Sequence, residues 1–417
     1  MAQTAPTANQ PGEESLAQVP IEVGREPFLL DVPAEQRMRL DRPACPAALP
    51  EPVQAVRDAL ESPLRYPALR RALTPDDHVT IVVDEHLPRV AELVTAVIEH
   101  VVGAGVDPAA ITLLCPPTGS KQPWLEDLPN GFQDVRLEVH APSDRNRLAY
   151  LATTKDGKRV YLNRLAVDAD QLVVLTRPHF DAVLGYAGAE GAIYPGLSDT
   201  ETRTAADGTV TAAAPTDHAG HVRRESGEVS WLLGAPFYVQ VIEGPGDQVV
   251  QILAGSADSA SDGRRWLDRC WRATVPAPAD LVIATIGGDP ARHDIEDMAR
   301  ALACAARVVR PDGVIALLCA TSPDLGEGFQ QMLRVDEPDE ALRVLRENPP
   351  PDWPAAYFWL DSVQKAHVYL LSGLPADTAE GLFTTPIEHA RQVQRLIDAG
   401  GSCLILPDAH KLLVTIQ

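Results

Sequence analysis

The feature that most restricts the fold is an alternation of short, continuous apolar runs with amphipathic helical patterns. The runs are VTIVV (79–83), ITLLC (111–115), VRLEVH (135–140), QLVVLT (171–176), LVIATI (281–286), VIALLC (314–319), HVYLLS (367–372) and SCLILP (402–407). Each has the length and composition of a strand, and most lack the polar alternation of a sheet with one wet face. Strands buried on both faces belong to parallel sheets covered by helices. The segment VAELVTAVIEHVVGAG (90–105) places apolar residues at i, i+3, i+4 and i+7 and ends in glycine. IEDMARALACAARVV (295–309) does the same, and the following RPDG reads as a turn. The alternation occurs twice, which predicts an α/β fold class with two α/β domains of mainly parallel sheet. We place a flexible tail at 1–18, an N-terminal domain at 19–255, a helical linker at 256–278 and a C-terminal domain at 279–417. The linker contains the helical pattern ASDGRRWLDRCWRA (260–273), and the small, polar stretch 202–221 reads as a loop.

Charge narrows the partners. Among 417 residues, 58 are acidic and 36 basic, a net charge of −22. Nucleic acid and anionic membrane both select basic surfaces, so neither is expected as a partner. No apolar run nears the roughly 20 residues of a membrane span. The opening MAQTAPTANQPGEES has neither a basic head nor an apolar stretch and is not read as a secretory signal. Six scattered cysteines without a CxxC pair read as small core hydrophobes in a reducing cytoplasm.

Ligands of open parallel sheets bind beyond the carboxyl ends of the strands. Here the 79–83 run leads into Asp84-Glu85-His86-Leu87-Pro88-Arg89, and the 111–115 run into Pro116-Pro117-Thr118-Gly119-Ser120-Lys121. The 171–176 run leads into Arg177-Pro178-His179 and then the glycines Gly185, Gly188 and Gly191. The 281–286 run leads into Gly287-Gly288-Asp289-Pro290. His179 has the side chain of a general acid or base, or merely hydrogen-bonds its loop. Lys121, in a Thr118-Gly119-Ser120 turn without P-loop spacing, neutralises a carboxylate or phosphate, or is simply exposed. Arg89 suits a bidentate carboxylate contact or is a solvated charge, and Asp84 is a further candidate beside it. The G-x-x-G-x-x-G of 185–191 is not the dinucleotide fingerprint, but it signals close backbone approach. His218 and His221 lie three apart and are the candidate metal ligands, against the plainer reading of solvated loop histidines. Arg300 pairs with Glu296 at i, i+4 as a default, or binds substrate.

These segments, taken in order, resemble the nickel-pincer lactate racemase family. The resemblance rests on FLLDVP, AVRDALESPL, DDHVTIVVDEHLPR, ITLLCPPTGSK, VYLNRLAVDADQLVVLTRPHF, GYAGAEGAIYPGL and IGGDPARHDIEDMARALACAARVVRPDGVIALL, over about residues 20–330. It implies an active site in the cleft between two α/β domains and chemistry on a small 2-hydroxy acid or sugar acid. His179 falls on one of the family's two acid/base histidines, and Lys121 stands where the other is expected. Asp84, Arg89, Ser120 and Arg300 fall at substrate-binding places. Thr118, Gly119, Gly185, Gly188, Gly191, Gly287 and Gly288 fall near the cofactor. Gly191 occupies the place of the lysine that tethers the nickel-pincer nucleotide. Glycine offers no nucleophile, so that cofactor, if used, is held non-covalently. Two readings follow: a cytoplasmic racemase or epimerase of the hydroxy acid, or a catalytically degenerate relative that serves as a small-molecule-binding or complex subunit. A metal-free racemase or lyase is the third.

Overall fold

The computed structural model describes residues 16–117, 122–211, 213, 220–234 and 236–417. A six-stranded sheet forms from β3 (Val79–Val83), β4 (Ile111–Cys115), β5 (Arg136–Val139), β8 (Gln171–Thr176), β11 (Phe237–Glu243) and β12 (Val249–Gly255), in the order β12-β11-β8-β3-β4-β5. Only β12 runs antiparallel. The second sheet is parallel throughout, in the order β17-β16-β15-β14-β18, built from β14 (Ala279–Thr285), β15 (Val309–Leu318), β16 (His367–Leu371), β17 (Thr385–Pro386) and β18 (Cys403–Leu406). The apolar runs became strands of the two sheets, β5 and β18 at their edges and the rest inside, and the central β3 and β8 are buried at every position. Helix Val90–Gly103 covers one face of the first sheet through Leu93, Val94, Val97 and Val101. Helix Ile295–Val308 covers the second through Met298, Leu302 and Ala305.

Several elements differ from expectation. The chain is already in strand at Leu16, where a tail to 18 was expected; β1 (Leu16–Val23) and β2 (Glu26–Pro33) form a hairpin. Its residues Val19, Ile21, Leu30 and Val32 pack on Leu281, Ile283, Ala316 and Leu318, so this first element covers the second sheet. The stretch read as a loop holds helix Thr200–Asp207, capped by the Asp199 carboxylate on the Thr202 N–H, and the start of helix Gly220–Leu232. Cap chemistry, weak in a hydropathy reading, won there. RPDG is not a plain turn: residues 310–313 bulge within β15, because β14 pairs Ala279 with Val309 but Leu281 with Val314. Asp312 takes φ 57° to make the excursion.

The linker helix, Ala260–Trp271, is present and is far from a free tether. Leu267, Cys270 and Trp271 are buried in the core that also holds Met298 and Leu302. The chain then enters β13 (Arg272–Val275), paired in parallel with β19 (Leu413–Ile416) near the end of the chain. This ties the helix to the C-terminal segment of the chain. Two small antiparallel pairs complete the strands: β6 (Leu148–Thr153) with β7 (Arg159–Asn163), and β9 (His179–Asp181) with β10 (Gly185–Ala187).

Candidate active site

The carboxyl ends of strands from both sheets meet. Asp84 follows β3, Arg177 and His179 follow β8, and Glu243 ends β11. From the second sheet, Arg292 and His293 lie beyond β14, and Asp408, His410 and Lys411 lie beyond β18. Glu243, 7 % exposed, holds Arg292 at 2.6 Å, Lys411 at 3.5 Å and Arg177 at 3.7 Å. Arg177 also meets Asp84 at 3.4 Å, and Arg292 also meets Asp247. Lys411 donates to the carbonyls of Gly244 (3.1 Å) and Gly246 (2.5 Å). Burial alone would raise the Glu243 carboxyl, but Lys411, Arg292 and Arg177 outweigh it and hold it far below the usual carboxylate range. Asp84 is held down in the same way by Arg177, His86 and His179 against the cost of burial. His86 crosses to the other sheet's loop, with Nε2 3.5 Å from Asp294 and Nδ1 3.0 Å from the Arg292 carbonyl.

A small cavity opens among these groups. It is lined by Arg177, His179, Glu243, Arg300, His410 and Lys411, with Pro178, Ile242, Leu267 and Trp271 as its apolar wall. Three cations, one carboxylate and two imidazoles therefore face one space. Desolvation, with Arg177 and Arg300, pushes the His179 imidazole down to about 4, so it is neutral at pH 7. His410 is lowered well below the usual imidazole range, chiefly by burial. The space is about the size of one water molecule, and its neutral imidazoles can take up a proton.

The sequence-predicted residues separate into groups. His179, Asp84 and Arg300 come together at the cavity or beside it. Arg89 does not line it: in left-handed conformation at the N-cap of helix Val90–Gly103, it grips Glu92 at 2.7 and 2.5 Å on the protein surface. Thr118, Gly119, Ser120, Lys121 and His218 lie outside the described residues. His221 is exposed in the first turn of its helix, so it shows no ligand geometry. Gly287 and Gly288 serve the fold: their N–H groups donate to Asp408 and to the Gly24 carbonyl, leaving neither amide free for a cofactor. Gly185 pairs with Asp181 in the small hairpin. Gly188 (φ +86°) lets the hairpin lie on the backbone of Arg177, where a Cβ would come within 2.4 Å of the Arg177 carbonyl oxygen.

Sequence reasoning misses Glu243, His293, His410 and Lys411 as site residues, although the strand-end rule applies to them. SCLILP had been read as a strand, and Asp408 to Lys411 follow it directly. The run FYVQVIE had not been read as a strand at all, which hid Glu243 at its carboxyl end.

The chain is similar in sequence and fold to known proteins. Residues 23–216 match the lactate racemase N-terminal domain family. Over 386 residues, 86 % of this chain and 89 % of the other, it is 22 % identical to a lactate racemase from Thermoanaerobacterium thermosaccharolyticum. A lactate racemase from Lactiplantibacillus plantarum is 22 % identical over 343 residues, 77 % of this chain and 80 % of that one. The solved lactate racemase apoprotein from Thermoanaerobacterium thermosaccharolyticum superposes with a TM-score of 0.77 at 17 % identity, covering 95 % of this chain and all of that one. Its N-terminal part thus matches the lactate racemase N-terminal domain, and the chain as a whole is similar to lactate racemases in sequence and fold. A second solved structure, of a protein from Thermotoga maritima, shares the fold at a TM-score of 0.67 and 12 % identity.

The lactate racemase resemblance brings with it a pincer nucleotide tethered through a lysine at the place of Gly191. That residue borders a second, wider cleft lined by Tyr186, Glu190, Arg223, Arg224 and Arg264. A Cβ at Gly191 would meet Leu184 Cδ1 at 2.6 Å. Lys158 is committed elsewhere, to the Tyr194 hydroxyl at 2.5 Å and Glu225 at 3.3 Å. The residues present do not fit a lysine-tethered group at this position.

Proposed function

We propose that the protein interconverts the stereoisomers of a small 2-hydroxy acid or sugar acid, with His179 as an acid/base group. The observation that carries this reading is one neutral imidazole facing a pocket with Arg177, Arg300 and Lys411. The guanidiniums provide bidentate partners for a carboxylate. They also tune the base. In the free pocket their charge, together with desolvation, keeps His179 unprotonated. A bound carboxylate offsets that charge and raises the imidazole's affinity for a proton when the substrate is in place. Lys121 is carried as the opposing group, and the 2-hydroxy acid as the partner. The cytoplasm as compartment accords with six free thiols. No helix among the described residues is long and apolar enough to cross a membrane.

The test is a chiral assay of enantiomer interconversion across a panel of short 2-hydroxy acids and aldonic acids. His179→Ala should lower turnover by about 10²–10⁴-fold while leaving the thermal midpoint within a few degrees. Turnover surviving at the wild-type rate would remove His179 from the reaction. The absence of a lysine at Gly191 favours a second reading, a binding subunit without turnover. Saturable binding of a hydroxy acid by calorimetry, with no interconversion by the wild type, would select it.

A further inference from the structure

Behind the cavity wall lies a second set of groups that the racemase reading does not use. His293, Asp297 and His410 are all buried, at 6 %, 0 % and 5 % exposure, and each offers a ligand atom within 4.8 Å of the others. His410 is the unexplained member. Neither of its ring nitrogens has a hydrogen-bond partner among the described residues, although the side chain is sealed from solvent. A buried imidazole with both nitrogens idle is costly, and such cases call for an ion or water. Its ring stands edge-on to His293, with centroids 4.8 Å apart.

His293 poses the matching problem. Its Nε2 lies 3.1 Å from the Gly287 carbonyl and its Nδ1 2.9 Å from Asp297 Oδ2. A neutral imidazole carries one N–H. It can donate to only one of these two acceptors, so satisfying both takes a positive charge, supplied by a second proton on the ring or by a cation between Nδ1 and the carboxylate. Donation of Nε2–H to a backbone carbonyl, as His293 can make to Gly287, is the usual outer partner of an imidazole that ligates a metal through Nδ1. Arg300 holds the other oxygen of Asp297, as outer partners of ligating carboxylates do.

We propose that His293, Asp297 and His410 form a binding site for a divalent first-row transition ion. The distances suit it. Ligand bonds of about 2.1 Å to an N···O pair 2.9 Å apart subtend roughly 90°, an ordinary angle between neighbouring ligands. The widest pair must close to about 4.2 Å, a side-chain shift of roughly half an ångström. Two nitrogens and one carboxylate oxygen select Zn²⁺, Co²⁺, Ni²⁺ or Fe²⁺ over Mg²⁺ and Ca²⁺, which prefer all-oxygen shells. Asp297 neutralises part of the ion's charge, and Asp294 and Glu296 on the same turn balance Arg300. His410 also lines the cavity with His179, so the remaining coordination positions draw their ligands from that space: water, or the paired oxygens of a small acid.

The site goes beyond the racemase reading and stands without it, so the test reads metal and not turnover. Full-length protein is stripped with a chelator and titrated with Co²⁺ alone, followed by visible absorption and by dialysis with metal analysis. The wild type should bind Co²⁺ stoichiometrically with a saturable d–d band. His410→Gln and Asp297→Asn should each weaken binding by at least tenfold, with circular dichroism unchanged. His221→Ala, which alters an exposed histidine, should not weaken it. A wild type that takes up no stoichiometric Co²⁺ overturns the site without reference to any variant. So does a band that persists undiminished in His410→Gln and Asp297→Asn.

Discussion

Replacing Glu243 by glutamine tests whether the two sheets are joined by charge at their carboxyl edges. The carboxylate reaches Arg177 from its own sheet and Arg292 and Lys411 from the loops of the other. At an effective dielectric of about 20, one ion pair at such distances has a gross attraction of about 4–6 kcal/mol. The net cost of removing the anion is smaller, because each cation keeps another partner. Arg177 retains Asp84, Arg292 retains Asp247 and the His86 carbonyl, and Lys411 retains two carbonyls. Breaking a buried pair costs about 3–5 kcal/mol, and these partners place Glu243→Gln near 3. With an unfolding entropy of about 2.1 cal/mol/K per residue, 417 residues unfolding together would lose about 3–4 °C in Tm, and one half unfolding alone roughly 7 °C. Scanning calorimetry measures this directly. The pH dependence carries a sign. A carboxylate whose folded pKa is depressed stabilises above its unfolded value, about 4.3, and loses that contribution only as pH falls through the folded value. The folded value here lies far below the ordinary range, so the Tm gap should be the same at pH 8 and pH 5. A gap under 1 °C, or one that shrinks between those pH values, would refute the network.

Three further outcomes follow from the same geometry. The acid limb of kcat/KM should lie near pH 4, rising as His179 loses its proton, with the limb of kcat displaced to higher pH because bound anion raises that pKa; a limb falling in the opposite sense would make the protonated form the active one. Arg300→Met should raise KM for a hydroxy acid by about 10–100-fold with a smaller change in kcat, and an unchanged KM would remove Arg300 from carboxylate binding. Gly188→Ala should cost at least about 2 kcal/mol, since φ is +86° and its Cβ would press on the Arg177 carbonyl; Gly227→Ala, in a helix with nothing within 4 Å, should stabilise by about 0.5–1 kcal/mol, and equal effects in urea melts would show that the contact at Gly188 is not real.

The fold was legible where burial is two-sided. The apolar runs of β3, β4, β8, β14, β15 and β18 carry their environment in their composition, because a strand covered on both faces has no room for polar alternation. The strands that went unread obey weaker rules. The hairpin of β1 and β2 covers the second sheet from a position before the first in the chain, and periodicity does not report such a return. β11 carries Gln240 in its middle and Glu243 at its end. Both are buried, and both are tolerated only through partners from distant segments: Ser259 for Gln240, and Arg292 and Lys411 for Glu243. A sequence window contains neither set of partners, so the polar residues read as surface.

The same reasoning explains why the candidate site was half visible. His179 and Asp84 stand directly after strands and were found by position; Arg89, also near a strand end, turned out to start a helix and to pair along it. What distinguishes them is compensation. Arg177, Glu243, Arg292 and Lys411 are buried charges that neutralise one another across two sheets, and the carboxylates are each held well inside their charged form by the surrounding cations. Against that satisfied framework, two imidazoles remain without a counter-charge of their own: His179, facing the cavity beside two guanidiniums, and His410, with idle nitrogens. A junction that pairs its buried acids with arginines and a lysine, and leaves His179 and His410 without a counter-charge of their own, is organised to receive something that brings the missing charge. An anion brings it to Arg300 and, through it, raises the proton affinity of His179. A divalent cation brings it to His410 and Asp297. The two arrivals are of opposite sign and occupy adjoining space, so each should strengthen the other, and hydroxy-acid affinity measured with and without Co²⁺ at fixed pH would reveal that coupling as a shift in Kd.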